Sequence, residues 1–125
     1  PVDAPVVDPF RPPPHPYGAG NRGLEYGTEA DTVVRASATG RVVFAGRIGA
    51  HRYLTIGHGC GLETTYSYLA VLAVRGGAVV AAGERIGRTG ATGFHFGARL
   101  HGRYVDPQRL FTHRPVLHTR LVPVP

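Results

Sequence analysis

The chain has no lysine, no methionine, no tryptophan and a single cysteine. With Cys60 alone, no internal disulfide and no cysteine-based metal cluster can form. Its setting in His58-Gly59-Cys60-Gly61 reads as a small residue near a turn rather than a nucleophile. All 14 basic residues are arginine, as a GC-rich coding bias produces, and the missing lysine excludes any function that needs a side-chain amine. No apolar run reaches the roughly 20 residues of a membrane-crossing helix. No signal-peptide pattern opens the chain, so the compartment is not written in a targeting segment. Arginine runs and RNA-type aromatic motifs are missing as well, and nothing singles out nucleic acid as a partner.

What is present fits one domain of 125 residues with one core. The 18 glycines and 11 prolines, with apolar residues in short β-branched clusters, favour an all-β domain with many turns. A net charge of +6 draws polyanions to the surface without choosing among them.

Residues 1–17 hold seven prolines, including Pro12-Pro13-Pro14, and read as an extended arm, because proline disfavours helix and central strand alike. Residues 112–125 have no periodic pattern and read as a mobile C-terminal tail. Between them, in a domain over 18–111, short strands recur with glycine at the joints: 32–36, 41–45, 52–56, 63–69, 71–74, 78–80, 85–86 and 94–100. No helix is required. Alternation from Leu62 sends Leu62, Thr64, Tyr66 and Tyr68 to one face and Glu63, Thr65, Ser67 and Leu69 to the other. The stretches 33–43 and 71–87 each place a small-residue or glycine turn before a valine-rich strand, the pattern of a duplicated hairpin. Short strands broken this regularly suggest a small all-β sandwich or barrel.

The segment VRGGAVVAAGERIGRTGATG resembles two families, the biotinyl/lipoyl carrier domains and the LytM/lysostaphin peptidases. Carriers attach their group to a lysine, which this chain lacks. The peptidase resemblance runs over about 18–111 in order. Asn21-Arg22-Gly23-Leu24-Glu25 stands where that family has His-Arg-Gly-x-Asp, followed by Gly40-Arg41-Val42-Val43 and by Thr55-Ile56-Gly57-His58-Gly59. Thr65-Tyr66-Ser67-Tyr68-Leu69 stands for Thr-Tyr-x-His-Leu. Gly87-Arg88-Thr89-Gly90-Ala91-Thr92-Gly93, Phe94-His95-Phe96 and Val105-Asp106-Pro107 close the match. The resemblance implies the duplicated hybrid motif fold, a small β-sandwich or barrel-sandwich hybrid of duplicated hairpins with an antiparallel sheet, and a peptide groove over that sheet.

In that family zinc is held by a His and an Asp four residues apart and by the second His of a His-x-His pair, with an open position for water. Carried over position by position, the first ligand is Asn21, whose neutral amide is a poor zinc donor. The second is Glu25, a carboxylate one methylene longer, and the third is His95, unchanged. The histidine that assists the water aligns with Tyr68, no base at neutral pH with an ordinary pKa of about 10. The first His of His-x-His has no counterpart, because the loop before Phe94 is shortened. The resemblance therefore implies no catalytic residue, no metal ligand set and no zinc. Asn21, Glu25, Tyr68 and His95 become vestigial positions marking a binding groove, with His58, Tyr66 and Phe94 as neighbours. The bland reading makes His95 a satisfied strand histidine, His58 a structural one, Tyr66 and Phe96 core or groove-wall aromatics, and His51, His101, His113 and His118 solvated.

Family members that have lost metal ligands activate cell-wall amidases in division and envelope remodelling. The expectation is thus a catalytically inactive, extracytoplasmic regulator of a peptidoglycan hydrolase, or a module binding peptidoglycan or another envelope protein. Two alternatives stand beside it: an active peptidoglycan metalloendopeptidase using His95, Glu25 and a rearranged His58 or His51, and a purely structural envelope module.

Overall fold

A computed structural model describes residues 1–11 and 20–111. The expected tail, 112–125, and the remainder of the expected arm lie outside the described residues. The strands are β1 (Val6–Asp8), β2 (Leu24–Tyr26), β3 (Val33–Arg35), β4 (Gly40–Ile48), β5 (His51–Gly59), β6 (Leu62–Leu72), β7 (Val79–Val80), β8 (Arg85–Thr89), β9 (Phe94–Leu100) and β10 (Arg103–Val105). A helical turn, α1 (Pro107–Phe111), follows. No helix was expected there; its start is held by Asp106, whose Oδ1 accepts the Gln108 N–H at 3.0 Å.

All pairings are antiparallel, and the main path of the sheet runs β1-β2-β9-β6-β5-β4-β7. The fold is the expected one. The two valine-rich stretches seen as a repeat pair with each other: β3 with β8, and β4 with β7. Neither hairpin unit is complete without the other, which gives the duplicated unit its hybrid, interlocked form.

β6 changes partner along its length. Its first part, up to Ser67, pairs with β9, and its last part, from Leu69, pairs with β8. The expected separate strand at 71–74 is the end of this longer strand. Tyr68 sits at the change, as the extra residue of a bulge: Tyr53 pairs with Ser67 but Arg52 with Leu69. A bulge reverses the alternation beyond it. Thr64 and Tyr66 are buried as expected, and so is Leu69, whereas Tyr68 is only half-buried. The placement of Tyr68 on the face of Tyr66 is thereby corrected.

The core lies on one face of the sheet: Leu24, Val34, Val42, Leu54, Ile56, Tyr66, Leu69, Val80, Ile86, Phe94 and Phe96. An antiparallel sheet packs one face and leaves the other to solvent, and the other face here is the groove. The beginning of the chain joins the same body. β1 extends the sheet beside β2, and Val2, Val6 and Phe10 pack on the core.

Candidate functional site

Alternate residues of a strand share a face, so the register fixes what lines the groove. One row crosses β2, β9, β6, β5 and β4 as Glu25, His95, Ser67, Tyr53 and Gly46, each the register partner of the next. The neighbouring row places Thr65 beside Thr55 and Thr55 beside Phe44. These rows floor an open groove of about 300 Å³, walled by Phe44 and Ile48 of β4 and by Tyr104 of β10, with Arg22 at its rim. The wall residues are 41%, 61% and 47% exposed, and they line one groove together rather than lying scattered over the surface.

Glu25 and His95 meet. His95 Nδ1–H donates to Glu25 Oε2 across the β2–β9 ladder. The other ring nitrogen, Nε2, lies over Gly23, where an added Cβ would fall 2.6 Å from it and 2.4 Å from the Phe96 carbonyl oxygen. Glycine at 23 is what lets the approach to β2 pass so close to the imidazole.

Tyr68 reaches the same region. Its ring stands 5.1 Å from His51, 6.0 Å from Tyr53 and 6.3 Å from His95, each at a steep angle. Its backbone holds φ at 71°, a conformation costly for a bulky residue. Burial, then the charge of Glu25, then Tyr53 push its phenol above the ordinary value, so it stays protonated.

Asn21 is turned elsewhere. Its amide nitrogen donates to the carbonyls of Asp8 at 3.0 Å and Pro9 at 3.1 Å. Its Oδ1 accepts the Gly23 N–H at 3.3 Å, and its backbone forms a bridge with Arg11. The side chain aligned with the first metal position thus holds the start of the chain in place and is buried in doing so.

Two of the expected groove neighbours lie on the opposite face. Phe94 is buried against Tyr26 and Tyr66. His58 Nδ1–H donates to the Thr39 carbonyl at 2.8 Å, and its Nε2 meets Thr64 Oγ1 at 2.7 Å. Thr64 Oγ1 meets the Tyr66 hydroxyl at 2.8 Å, which accepts the Ser37 N–H at 3.1 Å. Burial lowers the His58 pKa, the Thr39 carbonyl opposing it. Tyr66 lines the groove floor although its ring is fully buried. Sequence reading missed Tyr53, Thr55 and Ser67 as lining residues, yet alternation from Leu54, Ile56 and Tyr66 carries them to the groove face. The same alternation carries His58 to the core face. Tyr104 had no such signal.

Among the described residues, no three His, Cys, Asp or Glu side chains gather to hold a metal ion. A catalytic zinc takes three protein ligands and an open position. Here one carboxylate and one imidazole converge, and the third aligned group, the Asn21 amide, offers only a neutral, weakly basic Oδ1 that already accepts the Gly23 N–H, its nitrogen being held by backbone carbonyls. That donor set does not fit a catalytic zinc.

Comparison with known proteins places the arrangement in context. The profile of Peptidase family M23 matches residues 19–107. The chain is 36% identical over 91 residues to the DD-carboxypeptidase/endopeptidase Mpg of Neisseria meningitidis serogroup B, covering 68% of the chain and 21% of that protein. It is 31% identical over 124 residues to the murein hydrolase activator NlpD of Salmonella dublin, covering 91% of the chain and 31% of that protein. The chain therefore spans a third or less of the length of these curated relatives. Among solved structures, a zinc-containing peptidase from Vibrio cholerae aligns with a TM-score of 0.76 at 27% identity, covering 85% of this chain and 37% of that one.

Proposed function

The chain belongs to peptidase family M23, and from that premise we propose that it is a non-hydrolytic member that binds no zinc. It acts in cell-wall remodelling or division, outside the cytoplasm, by activating a peptidoglycan hydrolase of the amidase type through its groove. The observation that carries this reading is the fate of the three aligned metal positions: Asn21 is committed to the arm and Glu25 to His95. Among the described residues, hydrolysis by a metal-activated water finds no third ligand beside Glu25 and His95. A groove with exposed apolar walls, by contrast, suits the binding of a segment of another protein. The likeness to a murein hydrolase activator over 91% of the chain supports the same role.

The test is dye release from purified sacculi by a cell-wall amidase, with and without the chain. Stimulation of the amidase, with no release by the chain alone, is the expected result. Absence of both stimulation and sacculus binding overturns the reading. The likeness to Mpg favours a second reading, a peptidase with atypical ligands. It requires the chain alone to cleave cross-linked muropeptides when zinc is supplied.

A further inference from the structure

The groove face carries a constellation that the activator reading leaves unused. Tyr68 is the hub of a ring cluster, with His51, Tyr53 and His95 packed around it at 70°, 64° and 64°. All four rings are half-buried, neither sealed in the core nor free in solvent. Beside them stands the Glu25 carboxylate, close enough for its charge to act on the Tyr68 phenol. A carboxylate has two acceptor oxygens, and the His95 imidazole takes Oε2.

Backbone strain marks the same place. Tyr68 is a bulky residue at positive φ inside a strand, and the bulge is what aims its ring at the groove rather than the core. Strain of this kind persists where the surrounding structure holds it, and it concentrates at ligand sites.

Half-buried aromatic rings with one carboxylate beside them are a chemistry that holds an organic cation: exposed ring faces attract the positive charge and the carboxylate neutralises it. We propose that this cluster, at the edge of the groove, is the receptor for the ammonium of a lysine side chain, presented by a protein segment with apolar residues on either side of the lysine. Glu25 and the rings of Tyr53 and Tyr68 hold the ammonium. Phe44, Ile48 and Tyr104 take the apolar flanks, since they line the adjoining groove and are exposed. With a net charge of +6 the chain as a whole repels cations, so recognition depends on this local group rather than on long-range attraction. Of these holders Glu25 is one of the positions that resemblance assigns to a metal ligand.

The proposal rests on the reading of the groove as a protein-binding site, and its test is separate from the sacculus assay. The probe is a blocked pentapeptide, Leu-Ala-Lys-Ala-Phe, titrated into the whole chain with NMR detection of the tyrosine and histidine ring signals. Its partner probe carries acetyl-lysine in place of lysine. The lysine peptide is expected to bind about tenfold more tightly than the acetylated one, and Glu25→Gln and Tyr68→Gly each to lose about tenfold. Glycine at 68 accepts the positive φ, so this variant removes the ring without endangering the strand. Equal binding of the two peptides, no binding of either, or affinities unmoved by both substitutions overturns the proposal. Amidase stimulation without peptide discrimination sinks this inference and leaves the activator reading standing; discrimination without stimulation does the reverse.

Discussion

Asn21 gives both hydrogens of its amide to the carbonyls of Asp8 and Pro9, and histidine at this position would have no pair of hydrogens on one nitrogen to do the same. The side chain aligned with a metal ligand therefore has a structural use in this chain. Removing the amide leaves those acceptors short of partners at a buried position. Asn21→Ala is expected to lower the unfolding free energy by about 1–3 kcal/mol, read by denaturant titration, with faster amide exchange at Gly27, whose N–H is held by the Pro5 carbonyl. An unchanged denaturation midpoint contradicts the assignment. Glu25 and His95 were legible from their places in ordered motifs, and they do meet. The course of Asn21 was not legible, since it depends on a segment thirteen positions earlier, and no local pattern carries that.

The elements show the same division. β9 spans 94–100 as its pattern implied, because Phe94, Phe96 and Ala98 alternate into the core. β1, β2 and β10 were not foreseen: each has three residues, too few for a periodic signal, and each is a strand because a neighbouring edge offers it hydrogen bonds. Strict alternation fails at Tyr68, where one extra residue between two registers sends Leu69 inward, and a count along one strand cannot show a mismatch with its partners. On the core face, the relay from His58 through Thr64 and Tyr66 to Ser37 ties β5, β6 and the β3–β4 connection together. A neutral imidazole fits it: Nδ1–H donates to Thr39, and Nε2 accepts from Thr64. Protonation adds a second donor where an acceptor is needed. Because burial lowers the folded pKa of His58 below the unfolded value of about 6.5, the unfolded chain takes up the proton first as pH falls. The contribution is present above the unfolded pKa and is lost as pH drops through the folded one. Melting curves at pH 7.5 and 5 are expected to show a larger drop for the native chain than for His58→Gln. Equal drops contradict the relay's role.

At the scale of the molecule, the groove, the core and the start of the chain form one body. The stretch 1–11, set apart as part of an arm by its prolines, contributes β1 and packs Val2, Val6 and Phe10 on the core. Composition could mark it as extended but not as docked, since what it docks on is assembled from β2 and β9. Deleting residues 1–11 is expected to lower the melting temperature by several degrees, about 4–8 °C for each kcal/mol lost in a domain of this size. It also frees the Asn21 amide. A melting temperature unaffected by the deletion contradicts the docking. We propose that this M23 domain keeps the fold and groove of a peptidase without its metal, and the zinc content of the purified chain tests this. After equilibration with zinc and removal of the loosely held ion, far less than one zinc per chain is expected, unchanged by His95→Ala. One zinc per chain, lost on His95→Ala, would contradict it.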